Sequence, residues 1–283
     1  MGMIRTTLCV LAVSHWASFA HATDRTPPKI FLDKSPRIVK YQLKRLEDER
    51  LLLVERDTTD AKFIPVFEAI VSRPGISAEI RQKSLQALAE LRASSVSAEI
   101  LQALRSIDRK SEDSARLQAL LTRQLLGQPT KSLRKVADQL VAVASGDDVA
   151  IRPVGFAGLV AIDDQAAAAS LAKQDGELGV AFLNGVQLHK SGELRDRSLS
   201  LTEQLFNTYA ENADRDGIRA AIDALSRIPS ARKEAASLLL GYLSSDEHRV
   251  DAARGLLRLP VGALPAEKMS GVAAQLTAFA ETT

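Results

Sequence analysis

Apolar side chains return every three or four residues through most of this chain, the spacing of one face of an α-helix. Clusters of Gly, Pro, Ser and Asp separate the apolar stretches. The clearest stretch is residues 80–91, IRQKSLQALAEL, in which a small residue, Ala87, directly precedes Leu88. Its skeleton returns at residues 151–162 (IRPVGFAGLVAI), 217–228 (GIRAAIDALSRI) and 248–259 (HRVDAARGLLRL). The leucine of the small-Leu pair falls at Leu88, Leu120, Leu159, Leu225 and Leu256, with Val186 taking the place in one unit. Successive gaps are 32, 39, 27, 39 and 31 residues, an irregular period in the range of short helix-pair repeats.

The elements follow from this spacing and its punctuation. Residues 23–34 read as an extended lead-in, with Pro27-Pro28 biasing the backbone away from helix. Ser35-Pro36 opens a helix: serine is a favoured cap, and proline at the first helical position loses an N–H that has no partner anyway. Ile38, Val39, Leu43 and Leu46 mark its apolar face. Helices then pair: 60–72 with 80–91 across Arg73-Pro74-Gly75, 97–107 with 114–126, and 130–144 with 150–162. Three more pairs are expected at 165–173 with 178–188, 194–210 with 217–228, and 230–243 with 249–259. A single closing helix covers 266–280. A hairpin of this kind cannot cover its own apolar face, so a neighbour must stack on it, and the small residues let two helix backbones approach.

Arg81, Arg152 and Arg249 each stand at the second position of the inner helix, and that placement resembles the HEAT/armadillo type of helical repeat over roughly residues 60–260. The tetratricopeptide alternative lacks its Trp, Leu-Gly and Tyr markers at a steady spacing. The resemblance implies an all-α chain, a right-handed α-solenoid of HEAT-like hairpins, about six to seven pairs, filling residues 35–283. In such repeats the recurrent arginine often pairs with a turn aspartate between units, and that structural role is expected here. A narrower likeness lies upstream. Residues 29–56 (KIFLDKSPRIVKYQLKRLEDERLLLVER) and 63–76 (FIPVFEAIVSRPGI) resemble a segment of large exported bacterial proteins that join HEAT-type repeats to c-type haem domains.

Residues 1–22 have the form of a secretory signal peptide: Arg5 in a short basic start, a mostly apolar 8–20, and Ala20-His21-Ala22 before the cut. Cleavage after Ala22 would place the protein in the periplasm or outside the cell. It would also remove Cys9 and Trp16, leaving no cysteine for disulfides, thiolate metal sites or the Cys-x-x-Cys-His attachment of haem. Net charge falls from +2 to +1 with the loss of Arg5, so no basic surplus marks a nucleic-acid binder. No apolar run after the leader is long enough to enter a membrane.

Candidate chemistry is sparse. Asn212, Asp214 and Asp216 with Gly217, ending at Asp223, imitate a calcium loop, although the usual bidentate Glu at the last position is absent. The plainer reading makes Asp216 or Asp214 the cap of the Gly217 helix. Ser132 with Lys135 and Ser230 with Lys233 form Ser-x-x-Lys tetrads, but the companion elements of serine acylases are missing, and each serine is expected to cap a helix. His189 and His248 lack a spaced partner for zinc and read as polar helix-end residues. Asp147-Asp148 and Asp163-Asp164 sit in turns before helices, where carboxylates favour the N-terminus. Lys40, Lys44, Arg45 and Arg50 form the most basic local patch, either a solvated face balanced by Glu47, Asp48 and Glu49 or a dock for an acidic partner.

These features point to an exported, non-catalytic scaffold that binds a protein partner or another domain, with no catalytic, cofactor or metal residues assigned. The alternative, implied by the upstream resemblance alone, is the accessory module of a c-type haem-containing redox assembly whose haem domain is absent from this chain.

Overall fold

The structure is a computed structural model that describes residues 26–245, 247–264 and Thr277. The expected leader and nearly all of the expected closing helix lie outside these residues. Among the described residues the chain is all-α, with sixteen α-helices and no strand. No helix there is long and apolar enough to cross a membrane.

The order begins with α1 (Pro36–Lys44), α2 (Asp48–Leu52), α3 (Ile64–Val71), α4 (Ala78–Leu91), α5 (Val96–Arg105) and α6 (Ser114–Leu126). It continues with α7 (Thr130–Arg134), α8 (Ala137–Ala144), α9 (Arg152–Ala161), α10 (Gln165–Ala172) and α11 (Gly176–Val186). The last five are α12 (Gly192–Asp196), α13 (Leu199–Glu211), α14 (Arg215–Leu225), α15 (Arg232–Tyr242) and α16 (Arg249–Arg258). Short 3₁₀ turns precede α3 and α15, at Ala61–Phe63 and Pro229–Ala231.

Packing runs between neighbours. α3 lies on α4, α8 on α9, α10 on α11, α13 on α14 and α15 on α16. The second helices of successive hairpins also touch in order, α6 with α9, α9 with α11, α11 with α14 and α14 with α16. One continuous core results, from Val39 and Leu43 at one end to Leu256 and Leu259 at the other.

Three corners between helices share one construction. Ala93, Asp163 and Ala213 take positive φ (49°, 67° and 51°) just past α4, α9 and α13. The following N–H then reaches back to the third-last carbonyl of the helix: Ser94 to Ala89 (2.8 Å), Asp164 to Leu159 (3.0 Å) and Asp214 to Tyr209 (2.9 Å). This is the Schellman closure, made without its usual glycine. Asp164 and Asp214 then turn at once into caps of the next helix, each carboxylate accepting from a backbone N–H three residues on (3.1 Å at Ala167 and at Gly217).

Some expected boundaries change. The span 130–144 divides into α7 and α8 at Val136, whose backbone (φ −117°, ψ 22°) is not helical. The span 194–210 divides at Ser198 into α12 and α13. Leu120 is not a core position: Leu117, Leu121 and Leu125 form the buried stripe of α6, one residue out of the repeat's register. Leu88, Leu159, Val186, Leu225 and Leu256 are buried as the packing argument requires.

Candidate functional site

Among the described residues, neither Arg81 nor Arg152 pairs with a turn aspartate. Arg81, 1% exposed, donates to three backbone carbonyls: Val71 through Nε (3.3 Å), and Arg73 (2.6 Å) and Ile76 (2.9 Å) through Nη2. Val71 ends α3, so the guanidinium closes the C-terminus of the preceding helix, where carbonyls lack partners and the helix dipole is negative. Burial weakens the cation, and the more distant Asp48 carboxylate supports it. Arg152 and Arg249 repeat the device more lightly, donating to Gly146 (2.8 Å) and Leu243 (3.0 Å). Arg73 does the same for α1, reaching the carbonyls of Leu43, Lys44 and Leu46 at 2.9–3.1 Å. Carboxylate pairing across units joins Arg152 to Glu177 (3.0 Å), Arg109 to Asp148 (2.6 Å), Arg219 to Asp251 (2.9 Å), and Arg258 to Asp223. Arg92 joins Glu68 to the buried Glu99, which also accepts from Ser94.

Glycines mark the closest helix approaches. A Cβ at Gly155 would lie 2.7 Å from the carbonyl oxygen of Leu140 and 2.8 Å from Cα of Ala144, both on α8. A Cβ at Gly185 would lie 2.7 Å from the carbonyl oxygen of Pro153, so α8, α9 and α11 meet backbone to backbone. Phe156 and Phe182 fill the remaining space edge to face, 5.8 Å between centroids. The next interface is built around Tyr209, whose ring occupies the room left by Gly217 and Gly179 and whose hydroxyl donates to the Gly176 carbonyl (2.9 Å). Burial, with Asp214 and Asp175 nearby, pushes this phenol up to about 12. Nothing in the periodicity singles out Tyr209.

The candidate chemical groups are placed mostly as structural parts. Asp214, not Asp216, caps α14; Asp216 lies within the helix opposite Arg219, and the Asn212 amide donates to the Thr208 carbonyl. Among the described residues no three His, Cys, Asp or Glu side chains gather as a metal-ligand set. Ser132 lies inside α7 and does not cap it, because the helix already starts at Thr130. Ser230 lies in the 3₁₀ turn before α15, and both its N–H and its hydroxyl donate to Asp196 Oδ1 (2.8 and 2.7 Å). Ser230 and Lys233 line a surface groove of about 350 Å³ with Pro229, Arg232, Pro260 and Gly262. Asp148 meets Arg109 and caps its own turn at Ala150, Asp164 caps α10, and Asp163 faces Arg197 at 3.7 Å.

His189 and His248 stand at helix ends as expected, just past α11 and at the start of α16, and both are buried, at 5% exposure. Burial holds the His189 imidazole down at about 4, Arg195 lowers it further, and a hydrogen bond to the Ala157 backbone partly opposes them. The unfolded chain takes up a proton near pH 6.5, whereas the folded one resists until about pH 4. The stability contributed by neutral His189 is therefore present above pH 6.5 and is lost as pH falls through that interval. Between pH 7.5 and 4.5 the loss is about 2–3 kcal/mol. Urea midpoints at the two pH values, compared with His189→Gln, check this: the variant should lose that much less, and an equal loss in both would refute it.

Of the three acids expected to balance the α1 patch, one is committed elsewhere. Asp48 turns away to Arg73 (3.7 Å), so it does not neutralise the cluster. Lys40, Lys44 and Arg45 are exposed, and Arg45 lies over the Tyr41 ring while donating to its hydroxyl (3.2 Å). Arg50 is half-buried and not without a partner. Tyr41 (61% exposed) and Ile38 (47%) stand one turn apart, and the Phe31 N–H donates to Gln42 Oε1, holding exposed Phe31 beside them. An apolar, aromatic strip thus lies among exposed cations.

No family model matches this chain, and neither the curated proteins nor the solved structures contain a match.

Proposed function

We propose that this protein is an exported, non-catalytic helical-repeat scaffold whose hairpins stack as a right-handed HEAT-like solenoid and whose α1 face receives an acidic protein partner. The stacking half of the reading is supported by packing whose main contacts, among the described residues, join helices no more than three apart in chain order, as expected where each unit meets chiefly its neighbours. The binding half is carried by one observation: Phe31, Ile38 and Tyr41 stand exposed beside Arg37, Lys40, Lys44 and Arg45. Exposed aromatic side chains ringed by polar ones are characteristic of interaction surfaces. Cations around them speed encounter with an acidic surface and select for it.

The test uses the full mature chain as bait against periplasmic extract, beside Tyr41→Asp and the double variant Lys40→Glu, Lys44→Glu. A stoichiometric partner retained by the wild type and weakened at least tenfold by either change supports the reading. Equal recovery by all three baits defeats the α1 surface. A haem-bearing partner would assign the chain to a redox assembly as its accessory module.

A further inference from the structure

We infer that the corner formed by α12 and the C-terminal ends of α14 and α16 binds a small oxyanion, phosphate or carboxylate, between Arg195 and Arg227. The inference is independent of the α1 surface.

Contacts bring the groups together. α12 packs on the Pro229–Ala231 turn, where Asp196 receives both donors of Ser230 and Gly192 lies against the Pro229 ring. Arg227 stands two residues before that turn, and Arg258 reaches back to Asp223 on α14. The neighbouring carboxylates are committed: Asp196 to Ser230, Asp223 to Arg258, and Glu193 and Asp163 to Arg197. Two cations are left over. The Arg227 side chain makes no hydrogen bond or ion pair with any described residue, and the Arg195 side chain has only a long contact (3.5 Å) with the Lys190 carbonyl. Both Nε atoms are buried and unpartnered, and so is the hydroxyl of Ser198, one turn beyond Arg195.

Chemistry identifies the ligand class. A buried guanidinium N–H without an acceptor costs free energy, and like charges held together add to that cost. Burial, Arg258 and Arg195 all weaken the Arg227 cation, with only Asp223 opposing them. The negative helix ends of α14 and α16 attract cations but supply no acceptor to either Nε. An oxyanion does both: its oxygens accept from planar guanidinium forks, and its charge cancels the repulsion. Ser198 offers a further donor of matching type.

Thermal unfolding of the full mature chain tests this, with inorganic phosphate and succinate titrated separately against chloride at constant ionic strength. Phosphate or succinate at 20 mM, a concentration chosen for the assay, should raise the midpoint by about 3 °C beyond chloride. Arg227→Met and Arg195→Met should each abolish that rise, and Arg123→Met on α6 should keep it. The larger of the two rises tells phosphate from carboxylate. A rise no greater than that in chloride shows ionic screening alone and overturns the proposal, as does a full rise in Arg227→Met. If one variant fails to fold, the other decides, together with calorimetric titration of the wild type by the same two anions.

Discussion

Replacing Arg81 with methionine is expected to cost about 3 kcal/mol, a large loss for one side chain. Methionine keeps most of the packed stem, so the change removes mainly the guanidinium. Three carbonyls, those of Val71, Arg73 and Ile76, then stay buried without their donor. Leaving a buried acceptor unpaired forfeits its hydration with nothing in return. The removal of a buried charge offsets part of this, which is why the sum stays below three full penalties. Lysine at this position should recover about a third of the loss, since an ammonium on a flexible stem cannot span three carbonyls as a planar fork does. Arg152→Met is the internal comparison. It gives up one carbonyl contact at Gly146 and an ion pair to Glu177, a largely exposed carboxylate, and should cost about 1 kcal/mol. Urea unfolding followed by helix signal measures all three. Equal losses at Arg81 and Arg152 would mean that the carbonyl count does not set the stability.

Gly155→Ala should cost about 3 kcal/mol, although alanine favours a helix over glycine by about 1 kcal/mol. The added methyl meets backbone, the Leu140 carbonyl and the Ala144 Cα, so no rotamer can give way. α8 and α9 must separate by about an ångström, and the Phe156–Phe182 contact opens with them. Gly241→Ala on α15 isolates the opposite term. Among the described residues nothing lies within 4 Å of a Cβ there, so only propensity acts, and a gain of about 0.5 kcal/mol is expected. Opposite signs for two identical substitutions in helices would establish that backbone approach, not helix formation, makes Gly155 necessary. A gain at both positions would exclude it.

The helical spacing is legible in the amino-acid order, because apolar periodicity and small-residue placement are local properties of the chain. Pro36 starts α1, Asp214 caps α14, and Gly155, Gly158 and Gly185 stand where helices meet. Caps are readable because a carboxylate and the N–H it satisfies lie only three residues apart. Register is less secure. The buried leucine of the second unit is Leu121 and not Leu120, since α6 carries leucine at both and only its rotation against α5 and α9 selects one. The division of 130–144 at Val136 leaves no mark in a composition that favours helix throughout.

Sequence by itself therefore determined most of the helices, the caps at Asp164 and Asp214, and the small residues on which the helices would pack, all consequences of neighbours within about one turn. Tertiary structure alone decided what Arg81 donates to, which leucine faces inward, that Tyr209 fills the space above Gly179 and Gly217, and that Arg195 and Arg227 share a corner without a carboxylate between them. The physical reason is reach. A guanidinium or an aromatic ring finds its partner several ångströms away on another helix, and the identity of that partner depends on how the helices pack, which no local spacing encodes.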